Sequence, residues 1–307
     1  LNIAELIDEN YVVYAENGED GLFRLKLFCV NPAVNLGEYL KKGRSAVFFS
    51  ATLLPMNYYR KLLSNRQDDY GIYVESPFSQ KNRCILNAGD VSSLYSRRGY
   101  EEYHKIAEYI ARTVWQHKGN YMVFFPSYKM LEEVYAVYEE EFSVNWVKCI
   151  CQNSSMKEQE REEFLQEFEQ NQESLVAFCI MGGIFSEGID LLGEKLIGAI
   201  LVGTGLPQLG NEREILRSFY TENGENGFDY AYRYPGMNKV LQAAGRVIRT
   251  REDHGVILLL DERFRQREYS NLFPVEWNDR KTCTLSNVEA QLQKFWESIP
   301  DKISHKL

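Results

Sequence analysis

The stretch "NYMVFFPSYKMLEEVYAVYEEEF", residues 120–142, decides the fold. It opens with a short run that is apolar on successive positions, as in a strand buried on both faces. Pro126 and Ser127 follow, and Ser127 is of the residue type that starts helices. An amphipathic pattern then continues to Phe142. The stretch therefore predicts one strand-to-helix step of an α/β domain.

The same step recurs downstream. A helical pattern over residues 101–119 precedes the stretch, and four further apolar runs of strand length follow it. These runs are "NWVKCIC" (145–151), "SLVAFCI" (174–180), "LIGAILVG" (196–203) and "GVILLL" (255–260). Strands of this kind, joined by helices, predict an α/β fold with a parallel sheet and helices on both faces.

The first hundred residues do not show this regular alternation of strands and helices. We predict a β-hairpin in 11–30, a buried strand "SAVFFSATL" in 45–53, a helix in 56–65, and short strands near 71–76 and 83–88. The change in pattern between residues 65 and 100 is the candidate boundary. It predicts a short N-terminal piece, residues 1–75, that forms the edge of another domain, followed by a domain over 76–307.

Composition limits the function classes. No run approaches the roughly 20 apolar residues of a membrane helix, and the net charge of −9 means that contact with nucleic acid needs a local groove. The six cysteines are scattered, which is typical of small apolar residues in a reducing, cytoplasmic protein and not of a metal site. The chain begins at Leu1 without a methionine or signal peptide, and we expect it to be a segment of a longer protein.

Three polar side chains recur at helical spacing in "LQAAGRVIR", residues 241–249. In a helix, Gln242, Arg246 and Arg249 would share one face. Gly245, which has no side chain, would allow a ligand to approach that face closely. The alternative is a solvated face whose arginines meet surface carboxylates.

A glycine-rich turn, "IMGGIFSEGIDLLG" (180–193), follows a buried strand. At the carboxyl end of such a strand, Gly182, Gly183 and Gly188 would expose backbone N–H groups to an anion. Glu187 and Asp190 would offer acceptors to hydroxyls or bound water. An ordinary tight loop is the alternative.

Two other strand ends carry hydroxyl groups. Ser127 at a helix start can hold a phosphate, although most helix starts bind nothing. Ser50 and Thr52 lie in "SATL", at the end of the predicted strand over residues 45–53.

The run "GVILLLDERF" resembles a strand that delivers Asp261 and Glu262 to Mg²⁺. That role requires a phosphate loop, and the pattern G-x-x-x-x-G-K-[ST] does not occur in the sequence. We therefore interpret Asp261 as a structural residue at the strand end, paired with Arg263.

Taken in order, "SATL", "FFPSY", "GGIFSEGID" and "QAAGRVIR" resemble motifs III, IV, V and VI of superfamily 2 helicases. The wording of the last two is similar to the XPD/DinG branch, and the resemblance covers roughly residues 22–270. It implies the end of one RecA-like domain in residues 1–75 and a second RecA-like domain in 76–307. One departure is "TGLPQLGNEREI", where many relatives carry a different phrase after motif V.

The resemblance also implies roles. Arg246 and Arg249 would be arginine fingers, and Gln242 would contact the nucleotide or the attacking water. Further nucleotide contacts would come from Glu187, Gly188 and Asp190. Contacts to nucleic acid would come from Pro126, Ser127, Tyr128, Gly182 and Gly183. Ser50 and Thr52 would couple the two domains.

The implied protein is an ATP-dependent DNA helicase of DNA repair, acting on single-stranded or forked DNA. Its ATP and Mg²⁺ would be bound mainly by an N-terminal helicase domain upstream of this chain, where the family also carries its iron–sulfur cysteines. Two other interpretations stay open: a non-catalytic nucleic-acid-binding module, and a freestanding Mg²⁺-dependent nucleotidase that uses Asp261 and Glu262.

Overall fold

The computed structural model describes residues 7–18, 21–64, 66, 68–170, 173–186 and 191–300. In chain order, the strands are β1 (Tyr11–Asn17), β2 (Phe23–Cys29), β3 (Arg83–Ala88), β4 (Asn120–Phe125), β5 (Val147–Cys151), β6 (Ser174–Ile180), β7 (Gly198–Val202), β8 (Gly255–Leu260) and β9 (Lys281–Cys283). The α-helices are α1 (Ala33–Leu40), α2 (Met56–Leu63), α3 (Tyr100–Val114), α4 (Tyr128–Glu141), α5 (Glu158–Gln170), α6 (Asn211–Glu222), α7 (Tyr234–Ala244), α8 (Arg267–Ser270) and α9 (Val288–Ser298).

The chain forms two compact units. The first contains the residues up to Val74 together with Pro207–Pro235, and the second contains Glu75–Leu206 together with the residues from Gly236 onward. The assignment of residues 1–75 and 76–307 to two helicase domains stays a prediction.

The second unit is built on a parallel sheet of seven strands in the order β5-β6-β4-β7-β8-β3-β9. On one face, Tyr121, Val123 and Phe125 of β4 share a core with the helices α3, α4 and α9. Met122 and Phe124, which alternate with them, are equally buried, so the sheet is covered on both faces. The predicted α/β fold with a parallel sheet is confirmed, and the sheet extends beyond the predicted strands to β9.

The first unit contains the predicted hairpin, in which β1 and β2 pair antiparallel from Tyr11↔Cys29 to Asn17↔Phe23. The Tyr14 hydroxyl donates a 2.6 Å hydrogen bond to Glu212 on α6. Helix α6 is followed by a short π-helix, Asp229–Arg233. The rings of Tyr220 and Tyr230 stack at 4.0 Å in this unit.

The predicted buried strand over residues 45–53 is wrong. These residues form no strand, and Val47 and Phe49 are 82% and 89% exposed. A strand needs a neighbouring strand for its backbone hydrogen bonds, and β1 and β2 pair with each other in the described part of the first unit. The predicted strand at 71–76 is absent as well. The helix predicted over residues 56–65 is present as α2.

Candidate functional site

The carboxyl ends of the central strands gather the predicted loops at one edge of the sheet. Phe125 of β4 is paired with Ile180 of β6, and the Met181 N–H donates to the Phe125 carbonyl at 2.8 Å. The loop that starts at Pro126 therefore leaves the sheet beside the loop that contains Gly182. Ligands commonly bind at this edge of a parallel sheet.

Ser127 begins α4, as predicted. Its backbone is extended, and its hydroxyl accepts a hydrogen bond from the Met130 N–H at 3.3 Å. The hydroxyl thus satisfies one of the free N–H groups in the first turn of the helix. An anion at this end of α4 would meet the remaining N–H groups.

Tyr128 is positioned by Gln152, a residue that the sequence interpretation did not select. Gln152 follows β5 and is 6% exposed. Its side-chain carbonyl accepts from the Ile180 N–H at 2.9 Å, and its amide donates to the Tyr128 hydroxyl at 3.2 Å. The Tyr128 hydroxyl in turn donates to the Asn153 carbonyl at 3.3 Å. The available signal was a polar residue directly after a buried strand.

The glycines after β6 allow close packing. Gly182 has φ +74°, and a Cβ there would lie 2.7 Å from Cδ of Lys239 on α7. A Cβ on Gly183 would lie 3.0 Å from the Ile180 carbonyl oxygen. A side chain at Gly182 would therefore displace Lys239, which is a second residue that the sequence interpretation missed. Glu187, Gly188 and Asp190, predicted in the same loop, lie outside the described residues.

Helix α7 approaches the sheet through another glycine. A Cβ on Gly236 would lie 2.7 Å from the Thr204 carbonyl oxygen, in the segment after β7. Only glycine permits this contact between two backbones. Lys239 and Gln242, three residues apart on α7, project on one side of the helix that this contact holds against the sheet edge.

The prediction that Gln242, Arg246 and Arg249 lie on one helical face is wrong, because α7 ends at Ala244. The Arg246 N–H donates to the Ala243 carbonyl at 3.3 Å, which is the tighter turn common at helix ends. Gln242 lies on α7, Arg246 lies in the turn, and Arg249 lies in the irregular segment beyond it.

The turn places the Arg246 guanidinium against the motif V loop. Its Nη2 and Nε atoms donate to the Ser186 carbonyl at 2.9 and 3.2 Å. Ser186 is held in place by its own hydroxyl, which donates to the Gly183 carbonyl at 2.7 Å. The structure thus brings Arg246 to the same loop as Gly182 and Gly183.

Arg249 is exposed, and its backbone is fixed by Asp253. The N–H groups of Arg249 and Thr250 each donate to Asp253 at 2.7 Å, and the Thr250 hydroxyl donates to it at 2.7 Å. Burial on its own would raise the pKa of Asp253, but these hydrogen bonds outweigh it and the pKa is lowered. An ionised carboxylate therefore sets the path of the chain after Arg246.

Asp261 has the structural role predicted for it. It is fully buried, and the Nε and Nη2 atoms of Arg263 donate to its two oxygens, each at 2.8 Å. The hydroxyl and N–H of Ser93 donate to Asp261 at 2.7 and 2.9 Å. Burial opposes ionisation of Asp261, yet Arg263 and Ser93 lower its pKa. Its oxygens are engaged by protein donors, which does not suit a Mg²⁺ ligand.

Residues 110–280 match the family described as the helicase C-terminal domain. The chain belongs to this family. It is 26% identical over 301 residues to the regulator of telomere elongation helicase 1 homolog of Culex quinquefasciatus, and 28% identical over 301 residues to that of Aedes aegypti. Each alignment covers 89% of this chain and 30% of the relative, so the chain spans about a third of the length of these curated relatives.

Two solved structures named "XPD_Helicase" and "XPD_APO" share the fold of this helicase C-terminal domain. Their TM-scores are 0.65 and 0.64, at 18% and 19% identity. Each covers 92% of this chain, and the matched parts are 49% and 56% of the solved chains. Together with the family match, they confirm the resemblance to the C-terminal part of an XPD/DinG-like superfamily 2 helicase.

The motif III hydroxyls of the helicase chain lie in the first unit. The Ser50 and Thr52 hydroxyls are 3.3 Å apart, and the Thr52 N–H donates to the Ser50 hydroxyl at 3.2 Å. This local turn leaves Ser50 exposed. The proposed coupling role of the two residues stays a prediction.

The six cysteines of the helicase chain are free thiols. Burial raises the pKa of Cys84 to about 11 and that of Cys151 and Cys283 to about 12, as expected for small apolar residues. Among the described residues, no group of three or more His, Cys, Asp and Glu side chains could hold a metal ion. The described helices are also too short or too polar to cross a membrane.

Proposed function

We propose that this chain is the C-terminal motor domain of an ATP-dependent DNA helicase. The observation that carries the proposal is the contact of Arg246 with the Ser186 carbonyl, which holds a guanidinium at the carboxyl edge of the sheet, next to the glycine-rich loop. A guanidinium held in advance stabilises charge that develops on a transferring phosphoryl group without reorganising during the reaction.

ATP with Mg²⁺, bound mainly by an N-terminal helicase domain, supplies the phosphoryl group. This chain contributes Arg246 and Arg249 as donors to the phosphate oxygens, and Gln242 contacts the nucleotide or the attacking water. Glu187, Gly188 and Asp190 line the same cleft in this proposal. The planar, permanently charged guanidinium suits phosphate oxygens, and Arg249 is exposed and follows a backbone fixed by Asp253.

The same edge provides the proposed path of single-stranded or forked DNA. Pro126, Ser127, Tyr128, Gly182 and Gly183 lie on the two adjacent loops that follow β4 and β6. Backbone N–H groups at the start of α4 and the Tyr128 ring suit the phosphates and bases of a single strand. This local surface can serve a chain whose net charge is −9.

The proposed biological setting is DNA repair. The six cysteines are free thiols, which fits a reducing compartment. The cytoplasm predicted from the sequence is one such compartment. The telomere in the names of the relatives points to chromosomal DNA as the substrate.

A steady-state assay of the purified chain tests the proposal. We expect no appreciable ATP hydrolysis with or without single-stranded DNA, because the sequence has no phosphate loop. We also expect binding to a fluorescein-labelled oligo(dT) 20-mer, which Tyr128→Ala weakens. Robust turnover that disappears in Asp261→Asn would favour the freestanding nucleotidase instead. Full ATPase activity of Arg246→Ala in the longer protein would favour the non-catalytic binding module.

A further inference from the structure

The loop between β3 and α3, residues 89–99, follows β3 at the carboxyl edge of the seven-stranded sheet. Within it, Tyr95 lies in a short 3₁₀ turn and is 84% exposed. The guanidinium carbon of Arg98 lies 5.5 Å from the centroid of the Tyr95 ring. An exposed aromatic ring beside an arginine is the combination that binds single-stranded nucleic acid without sequence preference.

This loop, which we call the Tyr95 loop, is anchored at its base. The Ser93 N–H and hydroxyl donate to Asp261, and the Ser92 N–H donates to the buried carboxylate of Glu102. The Glu262 N–H donates to the Val91 carbonyl at 2.8 Å. The residues after β8 therefore fix the start of the loop, and Tyr95 follows this fixed segment.

The Tyr95 loop lies beside motif IV. Gly203, after β7, has φ +80°, and a Cβ there would lie 2.4 Å from the Ser93 hydroxyl oxygen and 3.7 Å from Cγ of Pro126. Ser93 and Pro126 therefore flank the same glycine. The proposed DNA-contacting loop after β4 and the Tyr95 loop form neighbouring parts of one edge.

The two arginines of the loop differ in their partners. Arg97 pairs with Glu102 at 3.2 Å and approaches Glu262 at 3.9 Å. Arg98 donates from Nε to the Ser93 carbonyl at 3.4 Å and has no carboxylate within salt-bridge distance in the described part of the chain. The charge of Arg98 is therefore available to an anion, and its guanidinium is oriented by Ser93 and Tyr95.

We propose that Tyr95 and Arg98 extend the single-stranded DNA path beyond motif IV. Tyr95 stacks on a base with the ring face opposite Arg98, and Arg98 contacts the adjacent phosphate. This inference rests on the proposed function, since it assumes a single strand on the loops after β4 and β6. Neither Tyr95 nor Arg98 lies in any of the four stretches that resemble helicase motifs.

The test is fluorescence anisotropy of the purified chain with a fluorescein-labelled oligo(dT) 20-mer, titrated at several salt concentrations. Tyr95→Ala should weaken binding roughly ten-fold and leave the salt dependence unchanged, because stacking is not ionic. Tyr95→Phe should bind as the wild type does. Arg98→Ala should lower the slope of log K against log[salt] by about 0.7, the value for one phosphate on a single strand.

Trp115→Ala and Lys118→Ala are controls, since both side chains are exposed in the segment between α3 and β4, at the opposite edge of the sheet. Neither should change affinity or slope, and melting temperatures verify folding. If Tyr128→Ala weakens binding while Tyr95→Ala and Arg98→Ala do not, the Tyr95 loop is no part of the path and the proposed function stands. If the wild-type chain binds no oligo(dT), the DNA path of the proposed function and this extension fail together.

Discussion

The guanidinium of Arg246 and the backbone carbonyl of Ser186 are joined by two hydrogen bonds, at 2.9 and 3.2 Å. Sixty residues of chain separate them, and the contact joins the turn after α7 to the loop after β6. A carbonyl accepts without neutralising the charge of the arginine. The two hydrogen bonds therefore orient the side chain against the loop after β6.

The first prediction concerns this arginine in a longer protein that also carries the N-terminal helicase half. Arg246→Ala should lower kcat for ATP hydrolysis by on the order of 10²- to 10³-fold and change ATP affinity little, because the charge acts mainly in the transition state. Arg246→Lys should not restore activity, since an ammonium lacks the planar fork. Steady-state ATPase kinetics with nucleotide binding measured separately provide the check.

Arg249→Ala should show the same separation of kcat from binding. Oligo(dT) affinity without nucleotide should stay near the wild-type value in both variants, and the melting temperature reports folding. Wild-type turnover in both would mean that the arginines form a solvated surface.

The second prediction concerns the contact between Gly182 and Lys239. Gly182→Ala should lower stability by about 1–3 kcal/mol, since alanine is strained at φ +74° and its Cβ would displace the lysine. Gly193→Ala is the matched control: Gly193 has φ +66°, but a Cβ there meets nothing within 4 Å. Urea denaturation of both variants measures the difference.

If the close contact matters, Gly182→Ala lowers the free energy of unfolding more than Gly193→Ala does. Adding Lys239→Ala to Gly182→Ala should then recover part of the difference. Equal losses for the two glycines would show that the backbone conformation accounts for the whole effect.

The third prediction concerns Asp253. Because its folded-state pKa is below the unfolded value, its ionised form contributes stability that is present above the unfolded pKa. That contribution is lost as the pH falls through the folded pKa, below the ordinary value of 3.8. Asp253→Asn should therefore destabilise the chain at pH 7 by about 1–3 kcal/mol.

Thermal unfolding at pH 7 and near pH 3 checks this prediction. The difference in stability between wild type and Asp253→Asn should be smaller at the lower pH. Glu252→Gln, an exposed neighbour, serves as the control. A gap that does not depend on pH would contradict the ionised role of Asp253.

The fourth prediction concerns Gln152. Gln152→Ala should cost about 1–2 kcal/mol of stability, because it leaves the partly buried Ile180 N–H without its acceptor. It should also weaken oligo(dT) binding several-fold, since the Tyr128 hydroxyl loses the amide that positions it.

Gln152→Glu separates these two effects. A carboxylate still accepts from the Ile180 N–H and from the Tyr128 hydroxyl, so stability should recover. The negative charge of the carboxylate should weaken DNA binding, and most strongly at low salt. Unchanged DNA affinity in both variants would remove Tyr128 from the proposed path.

Except for β9, the strands of the second unit were predictable because their sequences carry the signal locally. In β4, β6 and β8 successive residues are buried, so each strand is a short continuous apolar run bounded by polar or turn residues. The same local signal misled at Val47 and Phe49, because an apolar run becomes a strand only beside another strand. In the described part of the first unit, β1 and β2 pair with each other, and neither pairs with this run.

The end of α7 shows why the site was only partly predictable. The periodicity of Gln242, Arg246 and Arg249 fits a helix, but α7 ends at Ala244, and the N–H groups of Arg249 and Thr250 donate to the carboxylate of Asp253. Gly245 does not have a positive φ, so the left-handed glycine cap that a sequence can display as a stop signal does not end this helix. The contacts of Lys239 and Gln152 depend on elements far apart in sequence, so no local pattern predicts them.

The thiols of the chain make it suited to site-specific chemical labelling. Maleimides react with the thiolate, and the pKa of every cysteine is raised by burial, with Cys84, Cys179 and Cys283 buried. The native side chains should therefore react slowly at neutral pH. A single cysteine introduced at an exposed position such as Ser154 would carry one fluorophore without removal of the native ones. The partial or full burial of the native thiols thus leaves the surface free for a fluorescent reporter.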